Sequence, residues 1–174
     1  MSDAHASPEL RAFEPVLRAD TRAVVLGSFP GVASLEAAAY YAHPRNQFWP
    51  IMARIFGPPF PELPWPERYT RLLDCGVGLW DIYGACAREG SLDSAIRNPQ
   101  PNDLGRLTRE APGLRLIVHN GAESARRIRE TRALGVTAVR LPSTSPANAR
   151  LGLEAKLERW AEAFREAALG TPAP

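Results

Sequence analysis

Two stretches of the chain concentrate side chains that can do chemistry. The first begins with Gly27-Ser28-Phe29-Pro30-Gly31 and continues into Tyr40-Tyr41-Ala42-His43-Pro44-Arg45-Asn46. Glycine brings backbone N–H groups close to a ligand because no Cβ atom stands in the way. An ordinary surface loop rarely carries two tyrosines, a histidine, an arginine and an asparagine so close together. The first stretch is therefore predicted to bind a ligand.

The second stretch lies far downstream, at Leu141-Pro142-Ser143-Thr144-Ser145-Pro146-Ala147-Asn148-Ala149. Its serine, threonine and asparagine side chains offer hydroxyl and amide groups, which can hydrogen-bond to phosphate without carrying charge. Arg150 follows directly and can add a charged contact to a phosphate backbone. An ordinary loop rich in serine and proline is the alternative interpretation.

Apolar runs end abruptly at these polar stretches, which is the pattern of buried strands that lead into loops. Strands are predicted over residues 22–27, 78–82, 114–118 and 137–141. The sequence predicts helices over 8–18, 34–40, 46–56, 67–75, 91–97, 102–110, 122–132 and 151–168, with Ser34 as an N-cap and 58–66 as an extended surface connection. Strands that alternate with helices predict an α/β fold, three-layer αβα with a central, mainly parallel sheet of about four strands.

In an open parallel sheet, ligands bind at the carboxyl ends of the strands. Both polar stretches follow a predicted strand, and so do Asp81 and the pair His119-Asn120. The topology alone thus predicts that these side chains meet at one edge of the sheet. Asp81 has the alternative of capping a helix or pairing with an arginine, and Asn120 that of occupying a left-handed turn.

The two stretches resemble the uracil-DNA glycosylase superfamily, and most of all its hypoxanthine-DNA glycosylase branch. In that family a Gly-x-x-Pro-Gly motif follows the first strand, and an aromatic residue that stacks on the base comes next. An Asn-x-Phe-Trp segment then opens a helix. These features correspond here to residues 27–31, Tyr41 and Asn46-Gln47-Phe48-Trp49, and the Ser-Pro loop at 141–149 resembles the second motif of the family. The resemblance covers residues 20–168.

The resemblance implies a reaction and a set of roles. Enzymes of this family swing a base out of the DNA stack and hydrolyse its N-glycosidic bond. The implied base-binding residues are Gly27, Ser28, Phe29, Tyr41, Asp81 and Asn120, with Tyr40 as the alternative to Tyr41. The implied DNA-binding residues are His43, Arg45, Ser143, Ser145, Pro146, Ala147 and Asn148. Of these, Ala147 or Asn148 would fill the space that the base leaves.

One position departs from the family pattern. Most members hold the attacking water with an Asp or Asn inside the first motif, and here that position is Phe29, which cannot orient water. In the hypoxanthine branch a later asparagine has this role, and the resemblance places it at Asn46. Capping of the following helix is the alternative role for Asn46. Ser143 stands near a position where some relatives have a histidine that supports the leaving base, so that support is expected from elsewhere.

A further segment, Gly90-Ser91-Leu92-Asp93-Ser94, also resembles a feature of the family, a turn that leads into a helix. Ser91 is expected to be the N-cap of that helix. The N-terminus of the helix could alternatively receive a phosphate.

Composition sets further limits. The 174 residues carry a net charge of +2, so DNA binding would depend on uncharged donors as well as on charge. Lys156 is the only lysine and is expected on a C-terminal helix, away from both motifs in sequence, which argues against a Schiff-base lyase step. The two cysteines and three histidines have no metal-ligand spacing, and neither a metal nor a cofactor is expected. No signal peptide or membrane-length apolar run is visible, so a cytoplasmic location is expected.

These observations together predict a monofunctional DNA glycosylase, with one domain over residues 1–174 and disordered tails at 1–8 and 170–174. The expected substrate is double- or single-stranded DNA with a deaminated base, hypoxanthine first, and the expected state is a monomer with no membrane contact. Uracil or xanthine is one alternative base. A catalytically silent protein, which binds damaged DNA without releasing a base, is a second alternative. It stays open because Phe29 cannot orient water. A hydrolase of free nucleosides or nucleotides is a third, which the Ser-Pro loop disfavours.

Overall fold

The structure is a computed structural model that describes residues 7–169, which form seven strands and seven α-helices. The strands are β1 Leu10–Arg11, β2 Ala23–Gly27, β3 Val77–Asp81, β4 Tyr83–Ala87, β5 Arg97–Pro101, β6 Leu116–Asn120 and β7 Thr137–Leu141. The helices are α1 Val32–Ala37, α2 Phe48–Phe56, α3 Trp65–Asp74, α4 Arg106–Glu110, α5 Ala122–Ala125, α6 Ile128–Ala133 and α7 Leu153–Glu166. Short 3-10 turns lie at Phe60–Glu62 and Asp93–Ala95.

Four parallel strands form the central sheet in the order β3-β2-β6-β7. Val25 of β2 lies opposite Leu79 of β3 and Val118 of β6, and Val118 lies opposite Val139 of β7. Every residue of β2 and β3 is buried, as expected for parallel strands that are covered on both faces. The four predicted strands are confirmed, with small differences at their ends.

Side chains along β2 alternate between two cores, one on each face of the sheet. Val25 packs in a core that α2 and α7 cover with Phe48 and Trp160. Val24 packs in the opposite core, to which α4 contributes Leu107. Helices therefore cover both faces, and the predicted three-layer αβα architecture is confirmed.

The predicted helix over residues 8–18 is wrong. The chain forms β1 there, which pairs antiparallel with β4, and Val16 exchanges two backbone hydrogen bonds with Leu79, each of 2.9 Å. Since β3 is an edge strand of the central sheet, these two bonds satisfy backbone groups that would otherwise face solvent. Pairing with a strand edge has therefore overridden the local helical pattern.

A three-stranded antiparallel sheet, in the order β1-β4-β5, was not predicted. It occupies part of the region where helices were expected over 91–97 and 102–110. The first of these helices is absent, because the chain makes the 3-10 turn at Asp93–Ala95 and then β5, and the second is reduced to α4. Pro99 and Pro101 cannot continue a helix, but an exposed edge strand such as β5 tolerates them.

Three smaller predictions are corrected as well. The N-cap of α1 is Gly31, so Ser34 lies inside the helix, where its hydroxyl accepts from the Ala42 N–H at 3.1 Å. The connection over 58–66 is not simply extended, because its 3-10 turn buries Phe60 completely and α3 begins before it ends. The helix predicted over 122–132 is divided into α5 and α6.

Within residues 7–169, none of the helices has the length and apolarity needed to cross a membrane. The predicted disordered tails, 1–8 and 170–174, lie outside the described residues except for Ser7 and Pro8. These two residues are exposed and belong to no helix or strand.

Candidate active site

A cleft of about 1050 Å³ opens at the carboxyl edge of the central sheet, as the topology predicts. It lies where β2, β3, β6 and β7 end and the two polar stretches begin. Arg45 is exposed and does not line it. The other predicted site residues all do: Gly27, Ser28, Phe29, Tyr41, His43, Asn46, Asp81, Asn120, Ser143, Ser145, Pro146, Ala147 and Asn148.

Tyr41 is held in the cleft by its backbone and by one neighbouring ring. Its φ angle of 55° lies in the left-handed region, which is unusual for a bulky residue and costs roughly 1–3 kcal/mol. Its ring packs against that of Phe48, with centroids 4.3 Å apart and planes inclined by 32°. Phe48 is fully buried, whereas Tyr41 is only partly buried. One side of the Tyr41 ring is thus backed by the core while the residue still reaches the cleft.

Tyr40, the alternative stacking residue, belongs to the core instead. Its side chain is 4% exposed, and its hydroxyl donates to the carbonyl oxygen of Glu14 at 2.8 Å. Its ring makes an edge contact with Phe13 at 5.2 Å between centroids. Its carbonyl oxygen accepts from the Trp49 indole N–H at 3.0 Å. The geometry favours Tyr41 as the aromatic surface for a ligand.

Gly27 makes room for two polar groups at the floor of the cleft. A Cβ atom at this position would lie 2.5 Å from Asp81 Oδ1 and 3.2 Å from the Tyr41 hydroxyl oxygen. Gly27 and Asp81 are directly paired on β2 and β3, which explains why the carboxyl group lies against the glycine. A side chain at position 27 would displace the carboxyl group, so glycine is required here.

The Asp81 carboxyl group and the Tyr41 hydroxyl are both buried without a complete set of partners. Asp81 is 4% exposed, and neither its Oδ2 atom nor the Tyr41 hydroxyl has a hydrogen-bond partner in the described part of the chain. Buried polar atoms without partners are uncommon and call for an explanation. Two of them in one cleft are consistent with groups that a bound ligand would satisfy.

Burial raises the pKa of Asp81 to about 7, and the negative charge of Asp93 acts in the same direction while Arg88 opposes it. Burial and the Asp81 charge also raise the pKa of the Tyr41 hydroxyl. Asn120 lies close enough to this hydroxyl to oppose that rise in pKa, but its amide is turned towards Thr144. Near neutral pH, the cleft floor therefore holds a neutral phenol and a carboxyl group close to its midpoint of titration.

Asn46 lines the cleft and also supports a helix. Its Oδ1 atom accepts from the Phe48 N–H at 2.9 Å, at the first residue of α2. Its backbone N–H donates to the His43 carbonyl oxygen at 2.9 Å. The N-cap residue of α2 is Gln47, so Asn46 is not the cap itself but supports the start of the helix from one residue before it. The second lone pair of Oδ1 and the Nδ2 hydrogens remain available for a water, so the two roles are compatible.

His43 is oriented by the same turn. Its Nδ1 atom accepts from the Arg45 N–H at 3.0 Å. In the neutral imidazole this arrangement places the proton on Nε2, which makes that atom a donor. The donor can serve a base or a phosphate in the cleft.

Phe29, which replaces the usual water-holding residue, packs into the core. Its side chain is 6% exposed, and the Arg88 guanidinium lies over its ring at 5.2 Å from the centroid. Arg88 is itself buried, donates to the carbonyl oxygens of Pro30 and Gly90, and leaves one guanidinium nitrogen without a partner in the described residues. This buried cation under the first motif had no signal in the sequence.

The segment after Arg88 closes one side of the cleft. Ser28 Oγ and Asp93 Oδ1 lie 2.5 Å apart, and Ser91 Oγ accepts from the Val32 N–H at 2.9 Å. Ser91 is therefore not the N-cap of a helix, since the predicted helix is absent. Without that helix, there is no helix N-terminus at this position to receive a phosphate, and this alternative is wrong as well.

Asn120 holds the second stretch in place. Its Nδ2 donates to Thr144 Oγ1 at 3.0 Å, and its Oδ1 accepts from the Thr144 N–H at 3.0 Å. Thr144 is fully buried, so this pair fixes the centre of the loop. The left-handed turn suggested for Asn120 belongs to Gly121 instead, with φ of 96°. Gly121 is required there because a Cβ would lie 3.0 Å from that of Ser143.

The second stretch is a compact loop with free hydroxyl protons. Ser143 Oγ accepts from the Ser145 N–H, and Ser145 Oγ accepts from the Ala147 N–H, both at 3.2 Å. Each hydroxyl therefore keeps its own hydrogen for an outside acceptor. Trp160 of α7 holds the start of the loop by donating to the Pro142 carbonyl oxygen at 3.0 Å. Such oriented neutral donors suit phosphate oxygens.

His119 lies outside the site although it precedes Asn120. It is fully buried, with Nδ1 2.9 Å from Ser124 Oγ and Nε2 2.7 Å from Thr131 Oγ1. Because Ser124 donates its own proton to the Leu26 carbonyl oxygen at 2.7 Å, it accepts from His119 Nδ1. Burial lowers the pKa of His119 to about 4. It is a neutral structural residue between β6 and the helices that follow.

Comparison with known proteins agrees with this geometry. The model of the "Uracil DNA glycosylase superfamily" matches residues 14–166. Proteins named hypoxanthine DNA glycosylase from Methanosarcina barkeri and Methanosarcina acetivorans are 36% and 34% identical to this chain, each over 89% of it and 98% of the relative.

A solution NMR structure from Methanosarcina acetivorans, provisionally described as a uracil DNA glycosylase, superposes with a TM-score of 0.83 at 32% identity. The superposition covers 92% of this chain and 99% of that one. The predicted resemblance and the prediction of a DNA glycosylase are thereby confirmed. The chain belongs to the uracil DNA glycosylase superfamily.

Proposed function

We propose that the protein is a monofunctional DNA glycosylase that hydrolyses the N-glycosidic bond of a deaminated base, hypoxanthine first, in base excision repair. One observation carries the choice of base. The two relatives named hypoxanthine DNA glycosylase match nearly their whole length at 36% and 34% identity. The arrangement of Tyr41, Asn46 and Asp81 around one cleft supports the chemistry.

Tyr41 would receive the flipped base on its ring. A base stacked on an aromatic side chain gains roughly 1–3 kcal/mol, and Phe48 already holds this ring in position. Gly27, Ser28, Phe29, Asp81 and Asn120 would line the space around the base, with the backbone at Gly27 allowing the closest approach. Asp81 would meet the edge of the base, because its carboxyl group lies beside the Tyr41 hydroxyl.

Asn46 would hold the attacking water. Its side chain lines the cleft while the contact to Phe48 fixes its orientation, which is the preorganisation that catalysis requires. The water would add to C1′ of an oxocarbenium-like sugar as the base departs. Hydrolysis by water leaves an abasic site and needs no enzyme amine, so no strand cleavage is expected.

The second-motif loop, residues 142–148, would hold the DNA backbone. Ser143 and Ser145 offer oriented hydroxyl protons, and Ala147 lies exposed at the tip, where it or Asn148 would fill the vacated space. His43 and Arg45 would contact the backbone from the opposite stretch. We propose double- or single-stranded DNA as the substrate, a monomer as the active state, and the cytoplasm as the location.

A silent DNA-binding protein is the second candidate, because two observations favour it. Phe29 replaces the usual water-holding residue, and the Asn46 amide oxygen is already engaged with Phe48. Uracil or xanthine as the preferred base keeps the proposed chemistry and changes only the shape of the pocket.

The test is a base-release assay on labelled duplexes that contain hypoxanthine, uracil or xanthine, with hot alkali to reveal abasic product. We expect release from the hypoxanthine duplex by the wild-type protein and none by Asn46→Ala. Release from uracil alone would change the base and keep the class. Binding without product would favour the silent protein, and turnover of free deoxyinosine would favour a nucleoside hydrolase.

A matched variant separates the two roles of Asn46. A serine hydroxyl can also accept from the backbone N–H two residues on, so Asn46→Ser should keep the stability of α2, whereas its shorter side chain would not hold the water. Loss of base release in both variants, with wild-type stability in Asn46→Ser, would support catalysis. Full activity in a well-folded Asn46→Ala protein would remove Asn46 from the mechanism.

A further inference from the structure

The second motif lacks a side chain that can assist the departing base. A purine that leaves with the electrons of the C1′–N9 bond becomes an anion unless it gains a proton. Ser143 can donate one neutral hydrogen bond to such an anion, but a serine hydroxyl is too weak an acid to protonate it. Arg140 and Arg159, the two arginines that line the cleft, are exposed. A different group must therefore help the base leave.

Asp81 is the best-placed candidate for this role. Its carboxyl group is buried at the floor of the cleft, against Gly27 and beside the Tyr41 hydroxyl. Its Oδ2 atom has no hydrogen-bond partner in the described residues, although burial removes the carboxyl group from water. A structural carboxyl group at this position would be expected to accept hydrogen bonds, as Asp93 does from Ser28. Asp81 instead lines the cleft with a carboxyl group whose Oδ2 atom receives no hydrogen bond from the described residues.

We propose that Asp81, in its protonated form, acts as the general acid that protonates the departing base. This inference rests on the proposed function and adds a residue to its chemistry. The C1′–N9 bond breaks, its electron pair passes to the purine, and the proton of the Asp81 carboxyl group moves to the purine, which leaves as a neutral base. Water adds to C1′ and loses one proton, which restores the acid form of Asp81 through solvent.

The charges around Asp81 suit an acid that works near neutral pH. Burial and the charge of Asp93 together raise its pKa to about 7, against the opposing effect of Arg88. Tyr40 and Tyr41 face the same carboxyl group and stay neutral because their own pKa values are raised. A general acid is most effective when its pKa lies near the working pH. Bound DNA adds negative charge and would favour the acid form further.

The experiment is a pH profile of single-turnover base release from a hypoxanthine duplex between pH 5.5 and 9, with enzyme in excess. We expect the wild-type rate to be constant at low pH and to fall about tenfold per pH unit above the pKa of the acid. Asp81→Asn keeps size and hydrogen bonding but has no proton to give. It should be about 100-fold slower at pH 6 and show no falling limb.

A second variant tests the assignment without touching Asp81. Asp93→Asn removes the neighbouring charge but can still accept from Ser28, so it should move the falling limb to lower pH by a fraction of a unit. Because Asp93 is exposed, added salt should screen its charge. Salt should therefore move the falling limb of the wild-type protein to lower pH as well. Asp103→Asn, which removes an exposed carboxylate paired with Arg109, is the matched control and should leave the limb in place.

A third arm uses a base that needs no proton to leave. A 7-methylhypoxanthine duplex, run beside an enzyme-free control, carries a cationic base that departs as a neutral molecule. Asp81→Asn should approach the wild-type rate on this substrate. A structural defect would slow both substrates equally, so equal slowing would overturn the inference.

The remaining outcomes are also decisive. A falling limb that persists in Asp81→Asn would come from the substrate or from another residue, and would overturn the assignment. A wild-type rate that is flat or rises with pH would do the same. Release of no base from any duplex by the wild-type protein would overturn the proposed function and this inference together.

Discussion

Lys156 of α7 donates to the carbonyl oxygen of Asn148 in the second-motif loop at 2.8 Å. The same ammonium donates to Gln47 Oε1, next to Asn46, also at 2.8 Å. Lys156 is 1% exposed, and burial lowers its pKa. The chain's only lysine therefore joins both motifs from the core. Its amine is held by two uncharged acceptors, which supports a mechanism without a Schiff base.

Lys156→Met is expected to weaken the link between the two motifs. Methionine fills similar space but leaves the Gln47 and Asn148 oxygens without a donor, so the free energy of unfolding should fall by about 1–3 kcal/mol. Base release should slow as well, because the loop and the Asn46 turn lose their common support. Urea unfolding and single-turnover assays would measure the two effects. Arg165→Met, at an exposed position of the same helix, is the control and should change neither.

The contributions of the Tyr41 ring and of its hydroxyl to base release can be measured with two different variants. Tyr41→Ala removes the proposed stacking surface, so kcat/KM for base release should fall by about 10- to 100-fold, in line with 1–3 kcal/mol per stacked base. Tyr41→Phe keeps the ring and removes only the one hydrogen bond that a ligand could make to the hydroxyl, so its rate should stay within about tenfold of wild type. Steady-state kinetics on a hypoxanthine duplex would decide. An equal loss in both variants would show that the hydroxyl, and not the ring, is what matters.

The central sheet could be predicted because its signals are local. Continuous apolar runs such as Val24-Val25-Leu26 exclude an exposed strand, and the strand ends place Asp81 and Asn120 at one edge. The antiparallel sheet could not be predicted in the same way. Its strand β1 has only two residues and β5 contains two prolines, so their conformation depends on pairing with β4 and not on their own sequence.

The supporting residues of the site were missed for a similar reason. Arg88 and Lys156 come from segments with no motif, and only the fold shows that their side chains reach Pro30 and Asn148. Asn120 was located correctly, but its contact with Thr144 depends on the approach of β6 to the distant loop. Strand topology predicts where a residue lies. It does not predict which buried partner a long or forked side chain will find.

His119 should make stability depend on pH in the acidic range. Its pKa is about 4 in the folded protein, against about 6.5 in an unfolded chain, so the unfolded state takes up the proton first as the pH falls. The contribution of His119 to the free energy of unfolding is complete above pH 6.5. It is lost progressively down to about pH 4, by at most about 3 kcal/mol. Urea unfolding of wild type and His119→Gln at pH 7.5 and pH 4.5 would test this. The difference between the two proteins should shrink at the lower pH.

Asp81 should have the opposite effect on stability, because its pKa is raised to about 7 by burial while an unfolded aspartate titrates near 3.9. The folded state holds its proton more tightly, so the contribution is complete below about pH 4 and is lost as the pH rises to about 7. Above that pH the folded protein carries a buried ionised carboxylate with an unsatisfied oxygen. Asp81→Asn should therefore be more stable than wild type at pH 8.5, by up to about 4 kcal/mol, and nearly equal to it at pH 4.5. Parallel urea titrations at the two pH values would measure this, with Asp103→Asn as the exposed control. If Asp81→Asn gained no stability at high pH, the carboxyl group would be ionised and stabilised in the fold, and its role as an acid would lose its physical basis.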